Sequence, residues 1–146
     1  MKIQLPKDFG ERILSNELNE KPELREVLSN KHLAALGDSY LNLLYSVSLS
    51  SKLGRPTGDK IKGSILSNAL KISGLRRLLP KRVDRHGQAD ALEALAAYTW
   101  IKGALSFQSA LKIIGGHEDP TIGMTNLVLE MAKAFERHQE RKSAPL

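Results

Sequence analysis

Two acids interrupt an otherwise nearly apolar run that reads Ala89-Asp90-Ala91-Leu92-Glu93-Ala94-Leu95-Ala96-Ala97-Tyr98-Thr99-Trp100-Ile101. Alanine and leucine dominate it and no Gly or Pro breaks it, so the run predicts a helix. Apolar residues point in most directions around that helix, which places it near the centre of its domain. Asp90 and Glu93 are three apart, so both carboxylates fall on one face, with Cβ atoms about 5–6 Å apart. Carboxylates are rarely buried unless paired, hydrogen-bonded or bound to a cation. Two readings stay open. Either the pair shares a divalent cation that relieves its repulsion, or Asp90 caps the helix and Glu93 faces solvent.

The rest of the chain is helical in pattern. Glu11–Glu20 predicts a short helix, and Pro22 opens a second with Leu24, Val27 and Leu28 inward. Lys31–Leu53 is a long helix with a stripe of Leu33, Leu36, Tyr40, Leu43, Leu44 and Val47 at spacings of three and four. Asp38 falls opposite, among Ala34, Leu41, Tyr45 and Leu49, which is an apolar setting for an acid. Gly37 beside it suggests close approach by another helix. Thr57 or Asp59 would cap the next helix, whose inward residues are Ile61, Ile65, Leu66, Ala69, Leu70 and Ile72. Ser73-Gly74 stops that helix before a short 75–79 element and the connector Lys81–Gly87. Ser106 caps a helix containing Phe107, Ala110, Leu111 and Ile114, and Asp119-Pro120 starts the last, with a frayed tail over 141–146. No segment alternates as a strand. The expectation is an all-α single domain over 1–146, a bundle of about seven helices.

Charge narrows the partners. The chain nets +6, and nine Lys or Arg against two Asp lie between Arg55 and His86. Arg55, Lys60, Lys62, Arg76, Arg77, Lys81, Arg82 and Arg85 are the candidate phosphate contacts of this segment. Only seven aromatic residues argue against a base-stacking platform for single strands. The absence of cysteine excludes disulfides, thiol catalysis and cysteine-ligated metals, and the four histidines have no metal-ligand spacing. No apolar run reaches the length of a membrane span, and Met1–Pro6 does not lead into a signal-peptide core, so a cytoplasmic protein is expected. No phosphate-binding glycine loop or nucleophile elbow is present.

Two separated pieces together resemble the catalytic domain of the ribonuclease III family. Leu36-Gly37-Asp38-Ser39-Tyr40-Leu41 is similar to the core of its signature helix, and Ala89-Asp90-Ala91-Leu92-Glu93-Ala94 is similar to its Ala-Asp-x-x-Glu-Ala motif. Between them, Ile65–Leu70 and Gly74-Leu75-Arg76 resemble its middle helix and the turn after it, so the likeness spans about 24–115. The resemblance implies a ribonuclease III-like endonuclease fold with Asp38, Asp90 and Glu93 at three of four acidic positions that bind Mg2+, with Mn2+ as a possible substitute. The catalytic and metal assignments are therefore Asp38, Asp90 and Glu93. Two family glutamates are replaced here by Lys31 and Ala34. The chain is similar in size to small standalone archaeal-type or Mini-III-like members, with no double-stranded-RNA-binding domain.

The resemblance implies a metal-dependent endoribonuclease acting on structured or double-stranded RNA as a homodimer, without a membrane partner. The apolar face bearing Ala34, Leu41 and Tyr45 is the candidate dimer surface, unless it packs within one subunit. A catalytically silent, RNA-binding or ribosome-associated scaffold is the alternative, motivated by Lys31 and Ala34. A helical protein–protein module with purely structural acids is a third reading.

Overall fold

The computed structural model describes residues 8–143, and among these all regular structure is helical. The elements are α1 (Phe9–Leu14), α2 (Leu24–Leu28), α3 (Lys31–Leu53), α4 (Gly63–Ser73), a 3₁₀ turn (Leu75–Leu78), α5 (Arg85–Ile101), α6 (Phe107–Ile114) and α7 (Pro120–Ser143). No helix among the described residues is long and apolar enough to cross a membrane.

Helix α5 is the axis of the bundle. Asp84 caps it by accepting a hydrogen bond from the Gly87 backbone N–H at 2.8 Å, so it starts earlier than its apolar run. From Gln88 to Thr99 every residue except Asp90 is buried. The small side chains Ala91, Ala94, Ala96 and Ala97 are all 0 % exposed, which lets neighbouring helices pack against α5 from several sides. Helix α3 makes the largest interface with it, and α2, α4 and α7 also pack on it.

The closest approach is at Gly37 of α3. A Cβ there would lie 1.7 Å from the carbonyl oxygen of Glu93, so only glycine permits this crossing. Two buried apolar clusters flank α5. One gathers Leu41, Leu44, Leu66, Leu70, Leu92, Leu95, Met124 and Leu127, and the other gathers Leu14, Val27, Leu33, Tyr98 and Phe135. A fully buried leucine among these contributes about 1.5–3 kcal/mol. Tyr40 of α3 stacks on Trp100 of α5 with ring centroids 5.1 Å apart, which adds an aromatic contact to the α3–α5 interface.

Several expectations are corrected. The first helix ends at Leu14 instead of Glu20, and Pro22 precedes the α2 cap, Glu23, instead of lying in the helix. Leu43 and Ile72, expected inward, are 50 % and 65 % exposed. The face with Ala34 and Leu41 is buried within the chain itself, which removes that surface as a reason for dimerisation. Helix α4 is preceded by an extended stretch and capped at Lys62, so neither Thr57 nor Asp59 caps it. Gly74, at φ 84°, ends α4 in the left-handed conformation that its sequence position predicted. The last helix continues to Ser143, into the tail expected to fray; residues 144–146 lie outside the described residues.

Candidate active site

The α3–α5 crossing brings residues more than fifty positions apart to one opening. Asp38 follows Gly37 on α3, while Glu93 and, one turn earlier, Asp90 stand on α5. All three line a groove of about 430 Å³, together with Lys31, Asn42, Lys60 and His86. The reading in which Asp90 caps a helix and Glu93 faces solvent does not hold: Asp84 is the cap, and Glu93 is 8 % exposed.

Each acid is held differently. Burial pushes the Glu93 carboxyl up to about 7, reinforced by the negative charges of Asp38 and Asp90 and opposed by Lys60. Asp90 Oδ2 lies 3.4 Å from the Lys31 ammonium and its Oδ1 lies 3.8 Å from His86 Nε2. Asp38, expected in an apolar setting, is exposed at the edge of the groove, where its Oδ1 accepts a hydrogen bond from Asn42 Nδ2 at 3.1 Å.

Asn42 is the first rung of a polar ladder that the apolar stripe of α3 did not reveal. Its Oδ1 accepts from the Ile61 backbone N–H at 3.0 Å. One turn on, Ser46 Oγ accepts from the Asp59 N–H and donates to the Asp59 carbonyl, both at 2.9 Å. Another turn on, Ser50 Oγ accepts from the Thr57 N–H at 2.9 Å. Positions 38, 42, 46 and 50 share one helix face because four residues make about one turn. The ladder laces segment 57–61 along α3 and satisfies backbone groups that would otherwise need a helix or strand. It thereby delivers Lys60 to the groove beside Glu93. The signal was present in sequence as a polar residue every fourth position.

The eight basic candidates separate. Lys60 lines the groove. Arg55, Lys62, Arg77, Lys81, Arg82 and Arg85 are exposed outside its lining. Arg76 is half-buried and donates from its two terminal nitrogens to the carbonyls of Pro80 at 3.0 Å and Lys81 at 2.8 Å, so it braces the turn before α5.

Oxygen-only carboxylates suit a hard divalent cation, and the mutual repulsion that raises Glu93 is what such an ion relieves. Among the described residues, however, no three His, Cys, Asp or Glu side chains stand close enough together to hold a metal as placed. Asp38 and Asp90 are engaged by Asn42 and Lys31. The donor chemistry therefore fits an ion, and the carboxylates would draw closer together to hold one, with Asp90 leaving Lys31.

Glu93 also makes stability pH-dependent. Its folded value of about 7 stands above the ordinary 4.5, so the folded protein holds this proton more tightly than the unfolded chain. Below pH 4.5 both states are protonated and the penalty is absent; above pH 7 the buried charge is fully penalised. Without divalent ions, unfolding free energy should fall by up to about 3 kcal/mol from this group as pH rises between those values. Denaturant titrations of wild type and Glu93→Gln should converge at low pH and separate above pH 7, with the variant more stable.

The class the fold and groove define is an all-helical domain whose two central helices open acidic side chains into a single groove. The family model described as Ribonuclease III matches residues 31–142, from the start of α3 to the last turn of α7. The chain belongs to the ribonuclease III family, and its domain is that of an RNA endonuclease. No curated protein matches it at a significant level.

Proposed function

We propose that this protein is a divalent-metal-dependent endoribonuclease that hydrolyses phosphodiester bonds in structured or double-stranded RNA. The observation that carries the reading is Glu93: a buried carboxylate at the α3–α5 crossing, facing Asp38 and Asp90 in one groove. Asp38, Asp90 and Glu93 would hold Mg2+, or Mn2+ in its place. The ion would supply charge stabilisation at the phosphoryl oxygen and a lowered pKa for the attacking water. The chain's own groups do the rest. Asn42 orients Asp38, Lys60 offers a positive charge to the phosphate, and packing under the α3–α5 crossing holds the Glu93 carboxylate in place. The exposed arginines and lysines between 55 and 85 would follow the phosphates of an A-form duplex, which is recognised by shape and backbone. A homodimer in the cytoplasm, each subunit cutting one strand, completes the proposal.

The Lys31–Asp90 ion pair favours a second reading, a silent RNA-binding scaffold, because it places a resident cation on one of the acids. Incubating the protein with duplex RNA in Mg2+ or Mn2+ separates the two. Cleavage that chelator stops supports the enzyme, whereas binding without cleavage in either ion supports the scaffold.

Binding has its own test. Arg77→Glu with Arg82→Glu should weaken duplex RNA affinity by at least about tenfold and flatten its dependence on salt, because each lost phosphate contact releases fewer counterions. Fluorescence anisotropy over a range of KCl concentrations measures both. An unchanged slope would place the RNA elsewhere. Both side chains are exposed, so the fold should persist.

A further inference from the structure

The Lys31–Asp90 pair is uneven. The Lys31 side chain is 76 % exposed and the Asp90 side chain 20 %, so a fixed carboxylate inside the groove meets an ammonium that stands largely in water. Their contact is 3.4 Å and links the first residue of α3 to the first half of α5. Helix capping does not account for Lys31. It occupies the first turn of α3, where the helix dipole disfavours a cation and where no acid is present. Ala34 and Ala35, three and four positions on along α3 and also lining the groove, present only short side chains beside it. An exposed ion pair is weak, and a lysine stem is flexible, so the ammonium leaves Asp90 at little cost once a stronger anion is near.

We propose that Lys31 is the exchangeable cation of the groove: it holds Asp90 in the RNA-free protein and passes to a phosphate oxygen when RNA enters, which releases Asp90 to the divalent ion. The inference rests on the metal-dependent reading above. It makes metal and RNA binding mutually reinforcing, with Lys31 as the positioning residue that couples them. A unit charge next to a doubly charged ion within a few ångströms lowers affinity by about tenfold even in a watery dielectric. Removing the ammonium should therefore tighten metal binding in the absence of RNA. It should also remove part of the gain that each ligand confers on the other.

The test uses the full chain and Lys31→Met, with Lys31→Gln as a second variant of different shape. Mn2+ affinity is measured without RNA by calorimetry or by the loss of the free-ion EPR signal. Duplex RNA affinity is then measured with and without Ca2+. Both variants should bind Mn2+ about tenfold more tightly than wild type, and Ca2+ should improve their RNA affinity by a smaller factor than it improves the wild type's. Equal Mn2+ affinity in wild type and both variants overturns the inference while leaving the metal site standing, and so does an unchanged Ca2+ effect on RNA. If neither wild type nor variants bind Mn2+, with or without RNA, the metal-dependent reading itself falls and takes this inference with it.

Discussion

Glu93→Gln should reduce cleavage of duplex RNA by more than about a hundredfold, a loss of about 3 kcal/mol in transition-state stabilisation, while leaving RNA affinity within about twofold. The substitution keeps the volume and hydrogen-bonding capacity of a side chain that is 8 % exposed, so the α3–α5 packing has no cavity to absorb. It removes the most deeply buried of the three acids of the groove. A cation bound there would lose an anionic ligand, and the water it activates would become less acidic. Asp38 and Asp90, freed from a third negative charge, would remain in place. The measurements are single-turnover cleavage in Mg2+ and Mn2+ and anisotropy in Ca2+. A variant that cuts at the wild-type rate would remove Glu93 from the chemistry, whatever its burial. The stability difference above pH 7 in metal-free buffer provides an internal control, since the variant should there be the more stable protein and an intrinsic folding defect cannot explain its inactivity.

Gly37→Ala should cost at least about 3 kcal/mol and lower the melting temperature by roughly 10 °C. On an isolated helix the same change is favourable by about 1 kcal/mol, because alanine is the better helix former. The tertiary term wins because the new methyl would lie 1.7 Å from the Glu93 carbonyl oxygen and 2.3 Å from its carbonyl carbon. Both are backbone atoms of a buried helix, so no rotamer change relieves the overlap and α3 must lift away from α5. That displacement would act on Asp38 and Glu93 together, since one is next to Gly37 and the other supplies the atoms it touches. Cleavage should therefore fall even at temperatures where the variant stays folded. Thermal melts followed by circular dichroism and cleavage at 10–20 °C below the variant's transition test the two effects. A melting temperature at or above wild type would mean the helices are not in the close contact described.

Much of the helical layout was legible because its causes are local. The spacing of Leu33, Tyr40 and Leu44 and the uninterrupted run from Lys31 to Leu53 determine α3, whose predicted limits match those observed. Ser106 caps α6 by accepting the Ser109 N–H at 3.0 Å, and Asp119 Oδ1 accepts the Thr121 N–H at 2.8 Å at the start of α7, both as their positions before apolar periodic segments predicted. Where the sequence offered two local solutions, it misled. Thr57 and Asp59 have the chemistry of helix caps, yet Ser46 and Ser50 claim their backbone groups first. Leu43 and Ile72 follow the right period but fall on a side of the stripe that the described residues leave exposed.

The site divides in the same way. The sequence alone placed Asp90 and Glu93 on one helix face and joined them to Asp38 through a family likeness, because a spacing of three residues and a motif are properties of the chain itself. Only the tertiary structure decided which acid is buried. Glu93 lies under the α3–α5 crossing, Asp90 one turn away reaches Lys31, and Asp38 faces outward to Asn42. The exposure and charge of these three carboxylates depend on how closely two helices approach at Gly37 and on where the 57–61 segment leaves Lys60. Both are contacts between residues distant in sequence, and helical periodicity specifies the direction of a side chain without specifying what stands opposite it.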